Sequence, residues 1–98
     1  MESWPFPDDA PNTAAITTRQ VLERGAPIRV VSHDAADGGW QFLCGSTTDP
    51  RDGRVVGLRS IVALDPSVAT VADLPLGWRA RRDGPTGSWR RERCEDDA

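Results

Sequence analysis

Ser32-His33-Asp34 carries, in three consecutive positions, the residue types of a hydrolase triad. On a strand, however, Ser32 and His33 point to opposite faces, and a working triad is assembled in space rather than along the chain. The segment therefore reads as a strand-end histidine beside a turn aspartate. His33 and Asp34 remain pocket candidates, and a small hydrolase or ligand-binding enzyme using His33 with Asp34 or Cys44 is the alternative function. Asp34, Asp37, Asp49 and Asp52 lack the spacing and terminal glutamate of a calcium loop. Cys44 and Cys94 stand alone, with a single histidine in the chain, which does not assemble a zinc site. Gly38-Gly39 is no phosphate loop, and no lysine exists to complete one. No catalytic set, metal or cofactor is expected.

The arginines offer a different chemistry. All 12 basic residues are arginine, and six of them crowd into Arg79–Arg93 against only Asp83 and Glu92. Such a stripe can bind phosphates bidentately, so weak nucleic-acid binding is a further alternative. Against it, the 98-residue chain has a formal charge of −3, whereas nucleic-acid binders are usually basic. Arg79, Arg81 and Arg82 alternate with short side chains and read as the solvent face of a strand. An exposed tryptophan beside arginine has the composition of a protein-interface hot spot. Trp89, Arg79, Arg81, Arg90, Arg91 and Trp4 are the interface candidates, set against the competing reading that Trp89 packs beneath arginine stems.

These residues need elements to position them. Met1–Asn12, with three prolines and Asp8-Asp9, reads as an irregular arm that Trp4 and Phe6 can anchor. Thr13–Ile16 is a short strand, followed by a helix of about two turns capped by Thr17 or Thr18 and stopped at Gly25. Ile28–His33 and Trp40–Cys44, joined through Asp37-Gly38-Gly39, form a β-hairpin that points Trp40 and Phe42 at the core. Gly45–Gly53 reads as a surface loop, and Val55–Leu64 as a short helix or turn leading into a strand. Asp65-Pro66 starts a second helix with Val68, Val71 and Ala72 inward. Trp78–Asp83 and Ser88–Arg91 flank a Gly84–Gly87 turn as the last hairpin. Cys44 is a core residue and Cys94 an exposed one.

The sum is one α+β domain over residues 13–92, a small antiparallel sheet of about four or five strands with two short helices on one face. The arm 1–12 precedes it and the acidic tail 93–98 follows. No apolar run approaches the roughly 20 residues of a membrane span, and no signal-peptide pattern opens the chain, so a cytoplasmic protein with no membrane partner is expected.

Gly39-Trp40-Gln41-Phe42 with Gly45, then Leu64-Asp65-Pro66-Ser67, Leu74-Pro75-Leu76-Gly77 and Trp89 together resemble a bacterial family of unknown function related to immunity protein 33. The resemblance spans roughly Thr13 to Arg91. It implies a small cytoplasmic protein, from a group some of whose members are proposed to neutralise a toxin by binding it, and it brings no established catalytic residues to carry over. The expected function is thus a non-enzymatic protein-binding module with a toxin or client as partner. A homodimer through an edge strand or Trp4 also suits a small sheet with exposed edges.

Overall fold

The computed structural model describes residues 4–47 and 49–94. It has six strands, β1 (Ala14–Thr18), β2 (Val30–His33), β3 (Trp40–Leu43), β4 (Gly53–Gly57), β5 (Trp78–Arg81) and β6 (Arg90–Arg93). Two α-helices, α1 (Arg19–Arg24) and α2 (Leu58–Leu64), and two 3₁₀ segments, Pro50–Asp52 and Pro66–Val71, complete it. No described helix is long and apolar enough to cross a membrane.

The sheet runs β4-β1-β3-β2-β5-β6. It is the α+β architecture expected, with two corrections. There are six strands rather than four or five, and β1 pairs with β3 in parallel, so the sheet is mixed. The extra strand is β4, which the sequence hides. Val55, Leu58 and Ile61 share helical spacing, yet Gly53–Gly57 pairs along its whole length with β1 and the helix begins only at Leu58. The order is strand then helix, the reverse of the expected one, because cross-strand pairing with β1 outweighs a local period.

The other boundaries follow local chemistry. Thr18 caps α1 through its hydroxyl, and Gly25 closes it at φ 70°, a left-handed conformation open to glycine without strain. Asp65 caps the second helical segment through Ser67 N–H, with Pro66 at its start. That segment is 3₁₀ rather than α.

Period-two alternation divides the sheet into two unlike faces. Ala15, Thr17, Val31, Trp40, Phe42 and Ala80 lie buried on one of them. Val21 of α1, Leu58 and Ile61 of α2, and Val68, Val71 and Leu74 close over that face. The arm belongs to this core. Phe6 is 2% exposed and sits edge-on to Trp40 at 5.0 Å. Asp9 holds the arm down, its carbonyl accepting from Trp4 Nε1 at 2.6 Å and its carboxylate from Trp40 Nε1 at 2.9 Å. The opposite face, with Ile16, Val55, Ser32, Arg79, Arg81, Glu92 and Arg90, is covered by no described helix. The tail beyond Cys94 lies outside the described residues.

Candidate functional site

Three of the interface candidates come together on the uncovered face. The β5–β6 register sets Arg79 opposite Glu92 and Arg81 opposite Arg90. Arg79 Nε donates to Glu92 Oε2 at 2.5 Å, and Arg81 Nε stands 3.7 Å from the same oxygen. The Arg79 hydrogen bond, with the neighbouring guanidinium charges, holds the Glu92 carboxyl below its ordinary value. Arg90 pairs with Asp83, at 3.5 Å and largely in solvent. Beside them, where β2 begins and β5 ends, a cleft of about 280 Å³ is lined by Arg29, Val30, Gly45, Arg81, Arg82, Asp83 and Arg90. Arg29 makes no ion pair among the described residues. Among the described residues, Arg79, Arg81 and Arg90 on this half of the face, with Arg29 at the cleft beside them, therefore meet two carboxylates, and one of those is shared.

The remaining candidates lie elsewhere. Arg91 projects from the covered side, where it donates to Thr70 C=O at 2.8 Å and pairs with Asp73 at 2.9 Å. Trp4 is half-buried against Phe6. Trp89 packs on the core beneath Arg82, whose guanidinium carbon lies 4.0 Å from the ring centroid.

Arg82 corrects the sequence reading. Alternation through Ala80 sends it to the covered side, away from Arg79 and Arg81, and it is 4% exposed. Its Nε donates to Ile28 C=O at 2.9 Å, Nη1 to Ser67 Oγ at 2.9 Å and Nη2 to Asp65 Oδ2 at 2.7 Å. With those bonds and the indole face it is a fully used structural cation.

His33 and Asp34 do not form a pair. The His33 ring stacks on Trp40 with centroids 3.9 Å apart, and Nδ1–H donates to Leu74 C=O at 2.8 Å. The Asp34 carboxylate instead accepts from Ala36 N–H at 2.7 Å and shapes the turn. Ser32 points to the other face, as alternation requires. Cys44 lies at the far end of β3 from Trp40, the cross-strand neighbour of His33, and so cannot reach it. Cys94 does line the same cleft of about 340 Å³ as His33, Asp34 and Gly77. Nothing in the sequence joined those two positions, because β6 brings Cys94 there only through its register with β5.

Cys44 is buried within 3.1 Å of Ser46 Oγ and 3.6 Å of Thr18 Oγ1. Burial pushes its thiol up, but hydrogen bonds from Ser46 and Thr18 outweigh that and leave it below its ordinary value. Both cysteines are free.

The acidic loop is an ion-pair network. Asp49 caps Pro50–Asp52 through Arg51 N–H at 2.9 Å and pairs with the Arg51 side chain. Asp52 accepts from Thr47 Oγ1 at 2.7 Å and Arg19 Nε at 2.8 Å. Thr47 first, then Arg19 and Gln20, lower its pKa to about 2. A carboxylate depressed on folding adds stability above its unfolded pKa of about 3.9 and loses it as pH falls towards the folded value. The melting-temperature gap between wild type and Asp52→Asn should thus hold steady above about pH 4 and close towards pH 2. A gap independent of pH would remove Asp52 ionisation from the account.

Comparison with known proteins adds no likeness: no family model, no curated protein and no solved structure matches this chain.

Proposed function

We propose that the chain is a non-enzymatic protein-binding module whose contact surface is the arginine-bearing half of the uncovered face, and that its partner is acidic there. The observation that carries this reading is the gathering, among the described residues, of Arg79, Arg81 and Arg90, with Arg29 at the adjoining cleft, around two carboxylates on a face that no described helix covers. Such a field steers an acidic protein towards the face more than it sets final affinity. A toxin as that partner rests on the motif residues alone.

An acidic protein is favoured over nucleic acid by where the aromatic rings are. Phe6, Trp40 and Phe42 are core residues, and Trp4, Trp78 and Trp89 pack against that core. The uncovered face therefore lacks the stacking platforms on which single strands bind.

The test is affinity capture from extract of the source cell with the wild-type chain and with Arg79→Ala/Arg81→Ala/Arg90→Ala. A stoichiometric acidic protein held by the first and lost from the second is the expected result. Equal capture by both, or capture of nucleic acid alone with a steep salt dependence, contradicts it.

A further inference from the structure

The two edges of the sheet differ in kind. The β6 edge carries Arg90, Arg91, Glu92 and Arg93. A second copy paired there would face a run of like charge, which is how edge strands are kept from pairing. The β4 edge is Gly53-Arg54-Val55-Val56-Gly57, and its one charge, Arg54, already lies 3.9 Å from Glu23 of the same chain. Val55 is 70% exposed, and its cross-strand neighbour Ile16 is 43% exposed on the same face.

The ladder fixes which β4 peptide groups are free. Leu58 N–H donates to Thr13 C=O at 2.8 Å, one step beyond the Ala14–Gly57 pair. In an antiparallel ladder bonded and non-bonded pairs alternate. Val56 and Arg54 therefore turn their peptide groups towards β1, and Val55 turns its N–H and C=O outward. Gly53, which also turns outward, uses its N–H on Pro50 and its carbonyl on the Arg54 side chain. Gly57, the third and the N-cap of α2, gives its carbonyl to the start of that helix, so among the described residues Val55 holds the complete donor and acceptor pair at the centre of the edge.

We infer that β4 is a self-association edge, on which a second copy of this chain docks antiparallel about a two-fold axis at Val55. Each Val55 N–H donates to the other copy's Val55 C=O. The register is self-complementary, so the contact closes as a dimer rather than growing as a fibre. Both Val55 side chains then meet on the uncovered face, flanked by the two Ile16 side chains, and leave water together. The joined sheet has twelve strands with its arginine-bearing halves at the two outer ends. Partner binding and self-association thus use different surfaces, and either can fail alone. A contact this small makes a weak, concentration-dependent dimer.

Sedimentation velocity across about 5 to 500 µM tests the inference, that range spanning the affinities of small interfaces. The wild-type average mass should rise towards twice the monomer value. Val55→Lys, at an exposed side chain, should stay monomeric at every concentration with an unchanged far-UV circular dichroism spectrum. Val55→Pro should do the same, because the N–H it removes faces away from β1. A wild type that stays monomeric throughout, or a dimer that persists in Val55→Lys, overturns the inference.

Discussion

Asp65→Ala unfolds this domain more readily than any substitution on its surface, at a cost of about 3–5 kcal/mol, because it strands a charge inside. Its partner Arg82 has a side chain only 1% exposed, and the pair closes at 2.7 Å. The same carboxylate accepts from Ser67 N–H and caps the segment that carries Val68 and Val71. Against a total of roughly 5–15 kcal/mol, and at about 4–8 °C per kcal/mol for a domain of this size, the melting temperature should fall by about 12–40 °C. The double variant Asp65→Ala/Arg82→Met should recover part of that loss, since it removes the stranded charge along with its partner. Thermal unfolding of the two variants checks this. Losses that simply add would mean that Arg82 is stabilised independently of Asp65.

The second large effect lies in the arm. Phe6→Ala should destabilise by about 3–5 kcal/mol, the usual cost of deleting a buried ring. Phe6 meets Trp40 and Phe42 edge-on, at 5.0 and 6.3 Å, so the near-ultraviolet circular dichroism of the tryptophans should weaken with it. Chemical denaturation of the variant reads the energy. A loss below about 1 kcal/mol would show that the arm merely lies on the domain, because exposed substitutions cost no more than that.

Both predictions concern residues that the sequence described only in part. The β2–β3 hairpin, the inward Trp40 and Phe42, the Thr18 cap and the Asp65-Pro66 start were legible, because each rests on neighbours in the chain. The β4 strand was not. Its two valines gain their meaning from β1, where Val55 pairs with Ile16, 39 positions earlier, and Val56 with Ala15, and no local pattern encodes that partner.

The candidate site was legible to a similar depth. Alternation along β5 put Arg79 and Arg81 on one face, and the same rule carried to Arg82 sends it the other way. Its indole and carboxylate partners come from separate segments, so only the fold reveals that the cation is used up. Arg29 was missed because it stands before β2, far in sequence from the arginine-rich end, and joins Arg81 and Arg90 only across the sheet. Trp89 carried two readings, and its place beneath Arg82 is set by the turn from β5 into β6.

The central claim is that partner binding occurs on the arginine-bearing half of the uncovered face. Amide hydrogen exchange of this chain, with and without the captured partner, tests it most directly. The account predicts added protection along β5, β6 and the residues around Arg29, with the covering segments α2 and Pro66–Val71 unchanged. Protection confined to those covering segments, or to the cleft around His33 and Cys94, would contradict it.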